Sequence, residues 1–425
     1  MPPIRFIHAA DLHLDAAFSG LSRDIPADFA ERLRTATFTA FRRLLDLCER
    51  ESPDFLLLAG DVYNQEDASV SAQLALRDGF RRLESLSIPV FLVHGNHDPL
   101  ASRLRSVRWP GNVTVFGELP DAVPVFRKGE GTPLAIIHGA SHASGRETRN
   151  LAALFRRTEA CGLHVGLLHA TPGDADGVAR YAPFSQGDLK ASGMDYWALG
   201  HIHDRREVCR EPLAAYPGCT QGLHINEPGE KGCLLVTAEA RPDGGYAVRT
   251  SFRPLGPAVW KTLDMELGGA ASLDELENRL RTGLDRAAAE VWSGCEMLLV
   301  RLRLQGRTEL DGLLRKGTTC AELADRLRED GSGVPRIWIK DIDVATRPCV
   351  ERGALLERED LLGEVFRLSE AARTASGLQA LREGPLAPLF AHARAGKALE
   401  PLTDEELARL LDDAESLCLD LLEND

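Results

Sequence analysis

Five short polar clusters carry the residue types in this chain that could do chemistry, and each follows an apolar run. They are Asp11-Leu12-His13, Gly60-Asp61, Gly95-Asn96-His97-Asp98, His169 and Gly200-His201-Ile202-His203. Together they supply carboxylate, amide and imidazole side chains, which bind divalent cations without any thiolate. The donors suffice for two ions side by side, an arrangement suited to in-line attack on phosphate esters. The sequence therefore predicts a two-metal centre.

The spacing within the clusters indicates how the donors are shared between the two ions. Asp11 and His13 are two residues apart, so both side chains can face one ion from an extended turn, and His201 and His203 have the same spacing. A carboxylate has two oxygens, and we predict that Asp61 bridges the ions. The predicted first ligand set is Asp11, His13, Asp61 and His203, and the second is Asp61, Asn96, His169 and His201.

The donor types also limit the metal. Oxygen and nitrogen ligands favour Mn²⁺, Fe²⁺, Mg²⁺ or Zn²⁺ over copper or an iron–sulfur cluster, and availability decides among the first four. A water between the two ions would be the nucleophile. His169 has a competitor for its place, because His138 and Gly139 also end an apolar run.

His97 and Asp98 are predicted to be catalytic and not ligands. His97 adjoins Asn96 in the chain, so it cannot easily face the same ion. Asp98 can accept a hydrogen bond from the His97 imidazole and favour its protonated form. A protonated imidazole beside the ions would stabilise the transition state and donate a proton to the leaving oxygen.

Strands and helices alternate in the part of the chain that carries the first three clusters. Residues 4–10, 55–59 and 89–94 are predicted strands, and residues 27–50 and 70–86 are predicted helices. This alternation predicts parallel strands joined by helical crossovers. In such sheets ligands bind beyond the carboxyl ends of the strands, which is where the clusters lie.

Further along the chain the strands follow one another with less helix between them. The candidates are residues 113–116, 123–127, 134–138, 165–169, 196–200, 207–210, 233–238 and 246–253, with a helix over 150–161. They predict a second sheet. Two packed sheets flanked by helices give an α/β fold, a four-layer α/β/β/α sandwich over residues 1–255.

Two smaller regions are predicted after the sandwich. Pro254-Leu255-Gly256-Pro257 is a domain-boundary signal. Strands at 259–266, 295–304 and 336–343 alternate with helices at 273–290 and 318–329, which predicts a smaller α/β cap domain over 257–347. From 354 to 425 the pattern is helical, with Leu361, Val365 and Leu368 on one helical face.

Composition restricts the class of protein. The 425 residues are 44% apolar and 27% charged, as in a soluble globular protein of two or three domains. We expect no membrane span and no secretion signal. Nine cysteines without a CxxC pair predict reduced thiols and a cytoplasmic location. The net charge of −14 argues against a surface that coats nucleic acid, although a local arginine patch can still bind phosphates.

The clusters resemble the motifs of the calcineurin-like metallophosphoesterase superfamily. Its pattern of D-x-H, GD, GNH followed by D or E, H, and GHxH is matched at every step. The resemblance assigns metal positions to Asp11, His13, Asp61, Asn96, His169, His201 and His203, and the catalytic histidine to His97. Residues 8–15, 194–203, 216–218 and 222–232 are similar to the bacterial DNA-repair exonuclease family of the SbcD/YhaO type.

This narrower resemblance implies a Mn²⁺-dependent DNA exonuclease that works in DNA repair beside an SMC-like coiled-coil ATPase. It makes residues 257–347 a capping domain near the substrate groove and implies a homodimer. The helices after residue 354 would either dock the ATPase or pack on this chain. Two alternatives stay open: a phosphoesterase for small nucleotides or phosphoproteins, and a non-catalytic, metal-stabilised scaffold for an ATPase.

Overall fold

The computed structural model describes residues 2–21, 25–63, 69–102, 107–173, 180–242, 244–329, 333–349, 352–392 and 402–422. The chain forms two compact units. The first comprises Met1–Leu263, Arg281–Leu302 and Leu323–Ile342, and the second comprises Asp264–Leu280, Arg303–Glu322 and Asp343–Asp425. The three-domain division drawn from the sequence stays a prediction. Parts of its helical C-terminal region, 393–401 and 423–425, lie outside the described residues.

The described strands occur throughout the chain up to residue 348. In chain order they are β1 (Ile4–Ala9), β2 (Phe55–Ala59), β3 (Val90–Val93), β4 (Val113–Val115), β5 (Asp121–Val125), β6 (Ala135–Ala140), β7 (Leu163–His169), β8 (Tyr196–Gly200), β9 (Arg206–Arg210), β10 (Leu213–Tyr216), β11 (Gly232–Ala240), β12 (Tyr246–Pro254), β13 (Ala258–Glu266), β14 (Met297–Thr308) and β15 (Arg336–Pro348).

The described helices lie between the early strands and dominate the C-terminal part. They are α1 (Ala27–Arg34), α2 (Ala36–Glu51), α3 (Val70–Ser85), α4 (Gln186–Ala191), α5 (Leu273–Glu290), α6 (Asp311–Leu314), α7 (Thr319–Glu329), α8 (Arg352–Leu356), α9 (Leu361–Ala372), α10 (Ala375–Glu383), α11 (Ala387–Ala391) and α12 (Asp404–Leu422), with a 3₁₀ turn at Ala152–Leu154. In the described part of the chain, no helix combines the length and apolar character that crossing a bilayer requires.

Two six-stranded sheets form the larger part of the first unit. Their strand orders are β12-β11-β1-β2-β3-β4 and β5-β6-β7-β8-β10-β9. Strands β1 to β4 are parallel, and so are β6, β7, β8 and β10. The remaining pairs in these sheets, β1 with β11, β11 with β12, β5 with β6 and β9 with β10, are antiparallel. Strands β13, β14 and β15 form a separate three-stranded sheet.

The alternation of side chains along the strands produces the predicted four layers. Phe6 on β1 lies in the core between the sheets, together with Tyr196 of β8. The next residue, Ile7, faces the opposite way, into the core that α2 and α3 cover. On the far side, Trp197 packs in the core that includes Leu189 of α4. Because successive residues of a strand point to opposite faces, each sheet separates two cores, and the α/β/β/α sandwich is confirmed.

Part of the region after residue 257 shares a core with the first helix. Trp260, Met297 and Trp338 are buried in one cluster with Phe29 and Leu33 of α1. All five residues belong to the first compact unit. Packing therefore continues across the Pro254–Pro257 segment, although that segment has the composition of a linker.

Three predictions are wrong. The strands at 113–116, 233–238 and 246–253 were predicted in the second sheet, but β4, β11 and β12 lie in the first sheet, where β4 pairs with β3 and β11 pairs with β1. The other two are local, and each has a physical reason. The helix predicted over 27–50 is interrupted at Thr35, whose hydroxyl donates to the carbonyls of Glu31 and Arg32 and competes with the helical pattern. The helix predicted over 150–161 is only a 3₁₀ turn, because Phe155 takes an extended backbone and buries its ring against Trp197. Strand β10 was not predicted.

Candidate metal centre

The carboxyl ends of five strands from the two sheets meet at one edge of the sandwich. Asp11, Asp61 and Asn96 follow β1, β2 and β3 of the first sheet, and His169 is the last residue of β7 in the second. The His169 Nδ1–H donates to the carbonyl oxygen of Ala59 at 2.9 Å, which ties β7 to β2. The five clusters, separated by up to 192 positions in the chain (from Asp11 to His203), therefore converge.

The predicted ligands form two groups of donor atoms. In the first, ligand atoms of Asp11, His13 and His203 all lie within 4.8 Å of one another. The two imidazoles approach closely, with 3.1 Å between His13 Nε2 and His203 Nε2. Asp61 Oδ2 is 4.0 Å from His13 Nε2, so this carboxylate lies beside the first group.

The second group contains Asp61, His169 and His201, again with ligand atoms within 4.8 Å of one another. The Asn96 side chain belongs with it, because its Oδ1 is 3.0 Å from His169 Nε2 and 3.2 Å from His201 Nδ1. Asp61 Oδ2 is 3.3 Å from His169 Nε2. Asp61 is thus near both groups, where a bridging carboxylate has to be.

In His169 and His203, the ring nitrogen that points away from the metal centre donates a hydrogen bond. This bond determines that the other ring nitrogen faces the centre. His169 uses Nδ1–H for the Ala59 carbonyl, so its Nε2 points at the oxygens of Asn96 and Asp61. His203 uses Nδ1–H for Glu227 Oε1 at 2.5 Å, so its Nε2 points at His13 Nε2. Metal-binding histidines are held in this way by an outer acceptor. Acceptor atoms that face one another need a positive charge between them, and the donor set fits two divalent cations.

The electrostatics of the centre favour positive charge. Burial raises the pKa of Asp11 to about 6. Burial would also raise the pKa of Asp61, but the imidazoles of His169, His13 and His97 hold it well below its usual range. Burial would lower the pKa of His169, but the nearby carboxylates raise it to about 9. The buried carboxylates of Asp11 and Asp61 can be stabilised by protons or by metal ions, and protons and metal ions compete for them.

The backbone at this edge is strained at several predicted ligands. Positive φ angles, which side chains other than glycine rarely adopt, occur at Asp11 (50°), His13 (41°), Asp61 (48°) and His201 (104°). Each such residue costs on the order of 1–3 kcal/mol and persists only when the surroundings enforce it. At Gly60, with a φ of 90°, a Cβ would lie 2.5 Å from His169 Nδ1, so the turn before Asp61 requires glycine.

His97 is exposed beside the first group. Its backbone N–H donates to Asp61 Oδ1 at 2.9 Å, and its ring centroid is 5.1 Å from that of His13 in an edge-on arrangement. The imidazole is therefore held next to the donor atoms while it stays accessible from solvent.

In the described part of the chain, the Asp98 side chain is bonded to groups other than the His97 imidazole, so the predicted hydrogen bond between these two residues is wrong. The Asp98 carboxylate is fully buried and accepts from the backbone N–H groups of Val62 (3.0 Å) and Gly95 (2.7 Å). His94 Nδ1 is 3.3 Å away. Neighbours in a tight turn point in different directions, so Asp98 fixes the loop while His97 faces outward.

His138, the competitor of His169, lies elsewhere. Its Nε2 is 3.0 Å from His164 Nδ1, and the two rings stack. Sequence reasoning missed Glu227, which orients His203, and His142, whose Nε2–H donates to the His169 carbonyl at 2.6 Å. Glu227 does not follow a predicted strand, and His142 lies four residues beyond the end of the strand predicted at 134–138. The only signal for Glu227 was its place in the 222–232 stretch that carried the narrower resemblance.

Comparison with known proteins agrees with this geometry. Residues 4–205 match the profile of the calcineurin-like phosphoesterases, and residues 260–347 match the middle domain of the metallophosphoesterase YhaO. The chain is 34% identical over 392 residues to YhaO of Bacillus subtilis, which covers 90% of this chain and 91% of that protein. The chain belongs to the calcineurin-like metallophosphoesterases, in the YhaO group.

More distant relatives of this metallophosphoesterase carry the name DNA double-strand break repair protein Mre11. The protein from Aeropyrum pernix is 28% identical over 320 residues, which are 68% of this chain and 69% of that one. The protein from Haloferax volcanii is 24% identical over 390 residues, or 87% of this chain and 78% of that one.

The Glu227 contact generates the first prediction. Replacement of Glu227 by Ala removes the acceptor that orients His203, and we expect Mn²⁺ to bind the metallophosphoesterase about 10- to 100-fold more weakly. Calorimetric titration of metal-free protein measures this affinity. Glu207→Ala, which removes an exposed carboxylate from β9, is the matched control and should bind like the wild type. Equal Mn²⁺ affinity in the two variants would contradict the assigned role.

Proposed function

We propose that this metallophosphoesterase is a Mn²⁺-dependent exonuclease that hydrolyses phosphodiester bonds at DNA ends in DNA repair. The observation that carries the chemistry is the meeting of two donor groups at Asp61, whose Oδ2 is 3.3 Å from His169 Nε2 and 4.0 Å from His13 Nε2. The choice of DNA is supported by the repair function in the names of the Mre11 relatives. The YhaO relative carries no such name.

The residues at the strand ends would divide into two ligand sets. Asp11, His13 and His203 would hold one ion, Asn96, His169 and His201 would hold the other, and Asp61 would contact both. Divalent ions held there would supply Lewis acidity toward the phosphate and an activated water as nucleophile. The protein fixes the imidazoles through the Ala59 carbonyl and Glu227, so that little reorganisation is required on binding.

His97 would act on the leaving group. Its ring is exposed, lies edge-on to His13 and is positioned by the backbone contact to Asp61. An imidazole there can contact the phosphate and donate a proton to the departing oxygen. Asp98 would position this loop through its bonds to Val62 and Gly95, without touching the substrate.

Two exposed arginines beside the centre would bind the DNA backbone. Arg205 and Arg206 follow His203 after one intervening residue, Asp204. Their guanidinium groups lie over the rings of Phe252 (4.0 Å) and Tyr216 (5.6 Å). Stacking on an aromatic ring fixes a guanidinium and leaves its N–H groups for bidentate contacts with phosphate. A local patch of this kind explains how an acidic chain could hold a few phosphates.

The C-terminal helices would dock an SMC-like coiled-coil ATPase. Helices α9 and α12 share a small core of Leu362, Phe366 and Leu419. The face of α9 that carries Leu361, Val365 and Leu368 is largely exposed, with Leu361 at 66% and Leu368 at 62% of full accessibility, and is available to a partner. We further propose a homodimer. A cytoplasmic location is supported by the nine cysteines, all of which are free thiols.

Removal of the His97 imidazole tests the reaction. We expect His97→Ala to lower Mn²⁺-dependent release of nucleotides from end-labelled duplex or single-stranded DNA by about 10²- to 10⁴-fold. Bound manganese, measured by elemental analysis, should be unchanged, because His97 is not a ligand. Undiminished DNA cleavage in this variant would exclude the assigned role. Cyclic nucleotides and p-nitrophenyl phosphate esters belong in the same assay, and hydrolysis of these alone would exclude DNA as the substrate.

The arginine pair tests the contact with DNA. Replacement of both Arg205 and Arg206 by Ala should weaken DNA binding and reduce the slope of log affinity against log salt by about 2, one for each lost phosphate contact. Fluorescence anisotropy with a catalytically inactive background measures both quantities. The double variant Lys128→Ala/Lys190→Ala removes the same charge from two exposed positions. Lys128 lies in the loop between β5 and β6, and Lys190 lies in α4. If the two double variants lose affinity equally, the effect is general charge and not a phosphate-binding patch.

A further inference from the structure

A third group of donor atoms adjoins the metal centre. Ligand atoms of His203, Cys219 and Glu227 lie within 4.8 Å of one another. A second imidazole is close by, since His224 Nε2 is 3.2 Å from Glu227 Oε1. The same oxygen is 2.5 Å from His203 Nδ1, whereas Glu227 Oε2 is held by the backbone N–H of Leu223 at 2.7 Å. One carboxylate oxygen thus lies where two imidazoles and a thiol converge.

We propose that His203, Cys219, His224 and Glu227 form a third cation site, which selects Zn²⁺ over Mn²⁺ and controls the neighbouring centre by competing for His203. The proposal does not depend on DNA being the substrate. It requires only that His203 has two ring nitrogens, one on each side, and that each faces a different group of donors.

The donor types account for the selectivity. Thiolate, imidazole and carboxylate all bind zinc, which usually takes four ligands in a tetrahedron with ligand atoms at about 2.0–2.3 Å from the ion. Thiolate favours zinc and disfavours manganese, and the centre formed by Asp11, His13 and Asp61 contains no sulfur. Around such an ion the ligand atoms are about 3.3–3.8 Å apart. Glu227 Oε1 would therefore move away from His203 Nδ1, while Oε2 keeps its bond to Leu223.

Access to this site is from the imidazole side. Cys219 and Glu227 are buried, whereas the side chains of His203 and His224 are 31% and 40% exposed. The site also has a fixed backbone, because the Cys219 N–H donates to the His203 carbonyl at 3.2 Å and Lys231 Nζ donates to the same oxygen at 3.1 Å. An ion can enter without unfolding of the surrounding sheet.

Occupation of the third site changes the tautomer of His203. To bind through Nδ1 the neutral imidazole must carry its proton on Nε2, and the Cys219 thiol releases its proton to solvent. His224, which would bind through Nε2, must carry its proton on Nδ1 and gives up the bond that Nδ1 accepts from the Asn226 N–H. The His203 Nε2–H is then a donor directed at His13 and no longer offers a lone pair to the first ligand set. Zn²⁺ at the third site and a full first ligand set therefore exclude each other.

Cobalt reports the thiolate directly. Metal-free full-length protein is titrated with Co²⁺, which substitutes for zinc and shows an intense near-ultraviolet charge-transfer band only when sulfur binds it. We expect the band in the wild type and its loss in Cys219→Ser. Cys209→Ser removes another buried thiol, on β9 and outside the group, and should retain the band. His224→Gln, a change at a partly exposed position, should weaken the sulfur-bound cobalt at least about tenfold.

The outcomes separate this site from the two-metal centre. Binding of Co²⁺ in the wild type without the sulfur band would overturn the third site and leave the main centre intact. A band that persists in Cys219→Ser would also overturn it, because another thiol would then be the ligand. If Co²⁺ does not bind at all, both the third site and the two-metal centre are contradicted. In the expected case, Zn²⁺ added to the Mn²⁺-loaded protein displaces manganese from the wild type and displaces less from Cys219→Ser.

Discussion

Electron-rich atoms face one another at the carboxyl edge of the sandwich, and the rest of the molecule keeps them there. His13 Nε2 faces His203 Nε2 at 3.1 Å, and His169 Nε2 faces Asn96 Oδ1 at 3.0 Å. At such distances these groups repel unless protons or cations lie between them, and that repulsion is the source of metal affinity. The opposite ring nitrogens of His169 and His203 are fixed by hydrogen bonds, so these two imidazoles cannot turn away.

The two sheets must be held in register for this arrangement, and polar contacts in their shared core contribute to it. Burial lowers the pKa of His8 to about 3, so its imidazole is neutral. Its Nε2–H donates to the Leu199 carbonyl at 3.1 Å, and its Nδ1 accepts from the Tyr196 hydroxyl at 2.9 Å. These bonds join β1 to β8 directly below the centre. The close-packed core around these bonds stabilises the strained backbone conformations at the strand ends.

Much of the fold and of the metal centre could be predicted from the sequence, because both depend on local patterns. Alternating strands and helices predict parallel strands, and parallel strands bring their carboxyl ends together, so the seven ligand positions could be proposed before their distances were known. Side-chain directions within a tight turn could not be predicted, and the contact between His97 and Asp98 was wrong for that reason. Glu227 lies in a loop after β10, and only the folded chain brings it to His203. The helix predicted over 150–161 was wrong for a similar reason. Burial of the Phe155 ring against Trp197 outweighs the local preference for a helix.

Anomalous diffraction at the manganese edge, from crystals grown with Mn²⁺, tests the central claim most directly. The account predicts two peaks about 3.5–4 Å apart, the usual spacing of paired catalytic ions. His13 and His203 should bind one ion, His169 and His201 the other, and Asp61 both. A single peak, or two peaks of which only one contacts Asp61, would contradict the paired site on which the proposed chemistry rests.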